Sequence, residues 1–469
     1  MMESKVLMMK NINQTLKHVA AASFAIVFSY LGISSAQAEL EVTINQGQIK
    51  PTPIAITPFV DKSGQTFGQD LAAIITYDLQ SSGLFLPIDP QAFVQNIDSL
   101  NIQGPRFADW RIINAQCLLA GEVEVSGGQV TVRFRLFDSF RGTQMLGLEL
   151  SVDEKKWRRL GHMVADEVYK RITGEEGYFN TMISFIEESG PHGRKRMRRL
   201  GIMDYDGANV RYLTDGKHMA MTPRFSPNNR DIAFLSFEKS GLAQVYLYNL
   251  ANGSKKLLGQ FEGMSFAPRF SPDATKLVMS LEKAGNSAVY LKDLNSGSLT
   301  ALTQHTCIDT SPCFSPDGNN IVFTSDRGGN EQIYVMDNHG GDVRRISFGG
   351  GKYSQPVWSP RGDLITFTKI QQGQFYIGVM NPDGSNERLI CTDYLVEAPI
   401  WSPNGRVILY TRERRAKGTR FSKICAIDVT GRTKCELKTP REATDAAWSQ
   451  LLDKSVTPSR DNLNLLSKL

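Results

Sequence analysis

Pro312-Cys313-Phe314-Ser315-Pro316-Asp317-Gly318-Asn319-Asn320-Ile321-Val322-Phe323-Thr324 is the stretch that decides the fold. It reads as a strand ending on an aromatic, a tight turn, and an apolar strand. Within Ser315-Pro316-Asp317-Gly318, proline presets φ at the second turn residue and glycine relieves the end of the turn. Moving outward, Ile333-Tyr334-Val335-Met336-Asp337 is a third strand. A glycine-rich turn then leads to a fourth, Val343-Arg344-Arg345-Ile346. The aspartates Asp317, Asp326 and Asp337 fall at turn positions and read as turn formers.

The same unit recurs. Phe225-Ser226-Pro227, Phe270-Ser271-Pro272, Phe314-Ser315-Pro316, Trp358-Ser359-Pro360 and Trp401-Ser402-Pro403 share the aromatic-Ser-Pro triplet, and Trp448-Ser449-Gln450 is a degenerate sixth copy; the spacings are 45, 44, 44, 43 and 47 residues. Pro223, Pro268, Pro312, Pro356 and Pro399 precede the first five aromatics by two residues. Four short strands in roughly 40–45 residues is the arithmetic of a β-propeller blade. The other three strands also occur six times, their first set being 181–187, 197–204 and 210–214, ahead of any aromatic-Ser-Pro copy. The Trp448 strand is therefore predicted to complete the blade begun at residue 181, closing the ring and leaving no open sheet edge. An open solenoid would leave that strand unpaired.

The chain has 469 residues, too many for one ordinary domain. Lys10 and Lys17, an apolar run over 19–31 and Ala36-Gln37-Ala38 together form an export signal, with Glu39 expected to begin the mature chain. Removing three lysines and one glutamate lowers the formal charge from +5 to +3. No later run of 18 apolar residues suggests a membrane span. Between the signal and the repeats, a strand is expected over 53–59, a helix over 69–79, a strand over 84–86 and a helix over 110–115. A hairpin follows, 117–125 with 130–137 about Gly127-Gly128, and then an amphipathic helix over 154–172. The expected chain is α+β and multidomain: signal peptide 1–38, N-terminal segment 39–52, a small α/β domain 53–172, linker 173–180, a six-bladed β-propeller 181–452 closed by a C-terminal inner strand, and tail 453–469.

Chemistry is sparse. Gly263-Met264-Ser265-Phe266-Ala267 misses the G-x-S-x-G elbow and lies between blades, and no H-E-x-x-H, P-loop or dinucleotide fingerprint occurs. No catalytic residue, metal or cofactor is expected. The mild charge gives no reason to expect nucleic acid. The remaining readings are a binding module, with glycan or peptidoglycan binding or a propeller hydrolase as alternatives. Cys425 and Cys435 flank the Thr430-Gly431 turn and are disulfide candidates, as are Cys307 and Cys313 on one interblade loop; Cys117 and Cys391 are expected free. Two basic runs, Arg194-Lys195-Arg196-Met197-Arg198-Arg199 and Arg412, Arg414, Arg415, Lys417, Arg420, fall in the first and last blades. They are either a solvated surface or one positive sector beside the channel mouth that steers an acidic partner.

Taken together, the export signal, the α/β domain and six such repeats with Tyr-Val-Met-Asp third strands resemble the TolB family of periplasmic propeller proteins. Glu39-Leu40-Glu41-Val42-Thr43-Ile44-Asn45-Gln46-Gly47 is similar to that family's mature N-terminus, and 53–59 to its first domain strand. The resemblance implies a non-enzymatic periplasmic adaptor of the Tol–Pal system that supports outer-membrane integrity and constriction during division. The segment Glu39–Lys50, with Glu39, Leu40, Glu41, Val42, Thr43, Ile44 and Asn45, would bind TolA, its alternation suiting an added strand. The propeller mouth would bind the lipoprotein Pal through Met264, Ala267, Asp309, Thr310, Ser354, Gln355 and Glu397. The protein alone would be a monomer, reaching membranes only through partners.

Overall fold

The computed structural model describes residues 50–190, 196–238, 241–259, 261, 265–416 and 419–453. The signal peptide, the segment 39–49 and the tail beyond 453 lie outside them. Among the described residues, no helix is long and apolar enough to cross a membrane.

The α/β domain is built on β1 (Thr52–Ile56), β2 (Val60–Asp61), α1 (Phe67–Ser81), β3 (Phe85–Pro87), α2 (Ile97–Gln103), α3 (Phe107–Ile112), β4 (Cys117–Ser126), β5 (Gln129–Asp138), β6 (Thr143–Asp153) and α4 (Arg158–Thr173). The sheet runs β3-β1-β4-β5-β6, with β2 beside β4. β1 lies parallel to β3 and β4, while β4, β5 and β6 form an antiparallel meander. The expected hairpin thus gains a third strand, whose alternating Leu146, Leu148, Leu150 and Val152 is a period-two signal in its own right. The expected helix at 110–115 begins earlier, at Phe107, and stops at Ile112. Trp110 packs with Ala55, Leu118 and Phe137 on one face of the sheet. α1 and α4 pack on each other, and Leu160, Val164, Val168 and Ile172 are all buried, as the amphipathic spacing requires.

Six four-stranded sheets follow. Blade I comprises β7 (Met182–Ser189), β8 (Met197–Asp204) and β9 (Arg211–Tyr212). Blade II is β10 (Ala220–Phe225), β11 (Asp231–Ser236), β12 (Gln244–Asn249) and β13 (Lys255–Leu257); blade III is β14 (Ser265–Phe270), β15 (Lys276–Lys283), β16 (Asn286–Asp293) and β17 (Leu299–Ala301). Blade IV is β18 (Asp309–Phe314), β19 (Asn320–Ser325), β20 (Gln332–Asp337) and β21 (Arg344–Arg345). Blade V is β22 (Lys352–Trp358), β23 (Ile365–Gln371), β24 (Gln374–Met380) and β25 (Arg388–Asp393). Blade VI is β26 (Leu395–Trp401), β27 (Val407–Ala416), β28 (Thr419–Asp428) and β29 (Lys434–Glu436), and β30 (Glu442–Trp448) returns to blade I in the order β30-β7-β8-β9. The ring closes as the repeat arithmetic predicts, with Glu442 opposite Glu188 and Trp448 opposite Ile183.

The serine of each triplet has a physical job. Ser315 Oγ accepts the Asn320 N–H at 2.9 Å and Ser271 Oγ accepts that of Lys276 at 2.9 Å, tying the turn to the start of the second strand. In the last copy Ser449 Oγ accepts the N–H of Met182 at 2.8 Å, 267 residues away. The degenerate triplet therefore keeps aromatic and serine because the second strand is supplied from the other end of the propeller. It loses Pro-Asp-Gly because no turn has to be made.

Blade faces merge into apolar layers; one continuous cluster runs from Val322 and Val335 through Tyr353, Phe367 and Trp401 to Tyr410 and Cys425. The expected linker 173–180 turns out to be packed. Gly174 ends α4 in a left-handed conformation, and a Cβ on Gly177 would meet Asp166 Oδ1 at 2.1 Å. Asp166 accepts the N–H groups of Phe179 and Asn180 at 2.8 and 3.1 Å. Glu175 receives Arg406 Nε at 2.6 Å and lies 3.4 Å from Arg361. Tyr178 packs at 5.6 Å from both Tyr205 and Trp448, and these last two rings stack. A Cβ on Gly83 of the α/β domain would meet Thr433 Oγ1 at 2.1 Å. All these propeller contacts come from turns joining first to second or third to fourth strands. The alternation of strand direction puts those turns on one face of the ring. The α/β domain covers that face, and the opposite face, where inner strands begin, carries the channel mouth.

Candidate protein-binding mouth of the channel

The inner strands β10, β14, β18, β22, β26 and β30 ring the channel, and each carries a β-bulge at the same place. Two inner-strand residues there oppose one on the second strand. Where the chain is described, the first is left-handed without being glycine: Thr222, Ser311, Gln355, Ala398 and Asp445, with φ between 46° and 54°. Proline, which has no N–H to offer the ladder, is tolerated at a bulge, and that accounts for Pro223, Pro312, Pro356 and Pro399 directly after these residues. A left-handed L-residue costs about 1–2 kcal/mol. Repeating that cost around the ring re-aims the side chains at the mouth, as bulges beside functional sites do.

The expected mouth residues divide by what they touch. Met264 lies outside the described residues, and Ala267 is described only as part of β14. Thr310 and Ser354 stand at equivalent positions just before the bulge, opposite Thr324 and Thr368, and both are half-buried. Glu397 occupies the same position in blade VI, opposite Thr411. Gln355 bridges two blades, its Oε1 accepting the Ala398 N–H at 2.7 Å and the Thr368 hydroxyl at 3.0 Å. Asp309 is fully buried and receives Arg327 Nη2 at 2.9 and 3.1 Å. Arg327 in turn lies over Phe323 and Tyr334. Asp309 holds the rim together and is not presented outward.

Among the described residues Glu397 has no ion pair at the wall between blades VI and I. Burial, reinforced by the carboxylates of Asp445 and Glu413, pushes its carboxyl up to about 7. Asp445 is raised too, again first by burial, with Arg224 opposing. Two carboxyls at this wall are thus held above the ordinary carboxylate range.

The described members of the basic runs are mostly paired and do not form a bare positive sector. Arg194, Lys195 and Lys417 lie outside the described residues. Arg196 is buried between Glu188 at 2.7 Å and Glu442 at 2.5 Å. Arg198 pairs with Glu188 and Arg199 with Glu187, both at 2.7 Å. Arg412 reaches Glu436 at 2.7 Å, Arg414 reaches Asp393 at 3.1 Å, and Arg415 lies over the ring of Tyr394. The reason is register: β7 pairs with β8 so that Glu187 faces Arg199 and Glu188 faces Arg198. Opposite charges directly across a ladder neutralise one another.

The disulfide candidates are corrected as well, all six cysteines being separate thiols. Cys425 stands opposite Glu436 and Cys435 opposite Ala426, so the one-residue offset puts the two sulfurs on opposite faces of the sheet. Cys307 precedes β18, its Sγ against Asp309, while Cys313 lies near the strand's far end, its Sγ against the Phe314 carbonyl. At about 3.3 Å per residue, that spacing exceeds the roughly 7 Å Cα limit for a bridge.

One group of possible metal ligands occurs among the described residues: His162, Asp204 and Asp206, with ligand atoms within 4.8 Å of one another. Part of their bonding is committed elsewhere, while His162 Nε2 is buried without a hydrogen-bond partner. His162 Nδ1 lies 2.6 Å from Asp78, and Asp206 receives Arg158. Burial alone would lower the His162 pKa, but the Asp78 carboxylate outweighs it and raises it to about 9, while burial raises Asp78 as well. The group is a charge knot between α4 and blade I.

The sequence reading missed Arg224, Arg269 and Asp445. The in-chain signal was there: in the slot just before the aromatic, blades II and III carry arginine, where the other four have Cys313, Val357, Ile400 and Ala447.

A six-bladed ring with a small α/β domain on one face and a bulged open mouth on the other is a two-domain propeller protein. Residues 169–452 match the family model described as TolB beta propeller domain, and residues 40–145 that of the TolB amino-terminal domain. The chain belongs to the TolB family. The relative named Tol-Pal system protein TolB, from Paramagnetospirillum magneticum, is 51% identical over 251 residues, 52% of this chain and 55% of that protein. The matched part thus spans about half the length of that curated relative. The crystal structure of TolB from Acinetobacter baumannii superposes with a TM-score of 0.77 at 26% identity, covering 86% of this chain and 97% of that one.

Proposed function

We propose that this protein is a non-enzymatic periplasmic adaptor of the Tol–Pal system. It joins an inner-membrane partner, TolA, to the outer-membrane lipoprotein Pal, and so supports envelope integrity and constriction during division. The observation that carries this reading is the two-faced architecture: the α/β domain covers one face of the ring and leaves the bulged mouth open on the other. Two partners can then be held at once without competing for surface. The segment 39–50, leading into β1, supplies the TolA contact by strand addition. Thr310, Ser354, Gln355 and Glu397 supply short polar groups for a loop or extended epitope of Pal, with Asp309 bracing the rim.

The test is a pulldown from envelope extract with two variants of the exported protein. One lacks 39–50; the other carries Thr310→Arg with Glu397→Arg. The first is expected to lose the inner-membrane partner and keep the lipoprotein, and the second the reverse. If the first still captures TolA and the second still captures Pal, the adaptor reading fails.

A further inference from the structure

Arg224 on β10 and Arg269 on β14 occupy the same register of adjacent inner strands, opposite Ala233 and Val278. Neither has a carboxylate partner within ion-pair distance among the described residues. Arg224 Nη1 donates to the carbonyl of its own neighbour Pro223 at 2.6 Å, and its Nε is buried with no partner. The Arg269 side chain makes no hydrogen bond or ion pair among the described residues. The groups that act on Arg224 come from blade III (Arg269), blade I (Asp445) and blade IV (Cys313). Both arginines lie on inner strands, which line the channel, and charges on three other blades reach Arg224, which places the two guanidiniums toward the centre of the ring.

This is an unusual use of arginine. Both residues are half-buried, and a guanidinium partly withdrawn from water and left unpaired is disfavoured, the more so with a second one beside it. Burial and the neighbouring Arg269 pull the Arg224 pKa down to about 9. The described arginines of the basic runs in blades I and VI, by contrast, each have a carboxylate or a ring against them. The planar forks of two adjacent arginines match the oxygens of a carboxylate or phosphate, which would satisfy both at once.

We propose that Arg224 and Arg269 form a receptor in the propeller channel for a single oxyanion, either free inorganic phosphate or a carboxylate carried on a partner's side chain. The site does not depend on the adaptor reading, since it requires only the ring and its inner strands. An anion there neutralises two unpaired positive charges and locks blade II to blade III across the channel.

The test follows the melting temperature of the full exported protein at constant ionic strength, as chloride is replaced by inorganic phosphate or, in a second arm, by N-acetyl-glutamate amide. The wild-type melting temperature is expected to rise with the logarithm of ligand concentration in at least one arm. Arg224→Gln or Arg269→Gln should each weaken binding roughly tenfold to a hundredfold, the value of a hydrogen bond to a charged group. The double variant should not respond, and should melt no lower than wild type without ligand, because it has lost two unpaired charges. A response to phosphate identifies a free anion; a response to the glutamate amide alone identifies a side-chain carboxylate. No response in either arm, or an equal response in the double variant, overturns the site. If the double variant does not fold, Arg224→Lys with Arg269→Lys keeps both charges but loses the forks, and an undiminished response there overturns it as well.

Discussion

Glu397→Gln isolates the electrostatics of the mouth. In the folded protein the Glu397 carboxyl is raised from 4.5 to about 7, by burial first and then by Asp445 and Glu413. The folded state therefore holds a proton that the unfolded chain releases. The stability tied to that proton is fully present below pH 4.5 and is lost as pH rises through about 7. At 1.36 kcal/mol per pH unit the full shift would be worth about 3 kcal/mol; Glu397 keeps some access to channel water, and screening reduces this to about 1–2 kcal/mol. Glutamine mimics the protonated acid. The variant is expected to match wild type near pH 5 and to exceed it by that amount at pH 7.5, and the gain should shrink with added salt as the neighbouring carboxylates are screened. Urea denaturation at several pH values reads the difference directly. Parallel pH profiles for variant and wild type between pH 5 and 7.5, with no gain at the upper end, would refute the reasoning.

Ser449→Ala removes the acceptor for the Met182 N–H at the ring closure. The expected loss is about 1–3 kcal/mol, the cost of a buried unsatisfied donor, together with faster native-state proteolysis at β30. An unchanged urea midpoint and cleavage pattern would show that the clasp does not need this bond. Six separate thiols imply that unreduced, denatured protein takes up six alkyl labels by mass; uptake of four would restore one of the disulfides.

Much of the propeller was legible because its repeat encodes turns. An aromatic, a serine and a proline in sequence specify where a strand stops and how the chain reverses, and those constraints are local. The count of inner strands then forced the pairing of Trp448 with residues near 183. What escaped the reading was set by register and by three-dimensional neighbours. Glu187 and Glu188 lie twelve and ten residues from Arg199 and Arg198, yet only the pairing of β7 with β8 shows that they cancel. The Cys425–Cys435 geometry turns on a one-residue offset that no spacing reveals. Residues 173–180 have the composition of a linker, and their rigidity comes from partners as distant as Arg406. Strand β6 was visible in its alternation, whereas the seven-residue α2 is too short to show a helical period.

The shared construction of blade I also constrains the order of events during biogenesis. β7 emerges early and its inner neighbour β30 last, with 267 residues between Met182 and its capping serine. While the intervening blades are being made, the inner edge of β7 has no native partner, and an exposed strand edge invites pairing with other chains. Ring closure is a long-range contact that comes late and is slow to form. Charged Glu187 and Glu188, already faced by arginines from β8, sit on that waiting edge and discourage such pairing. The same glutamates that neutralise the basic run in the finished protein thus act as gatekeepers of the unfinished one.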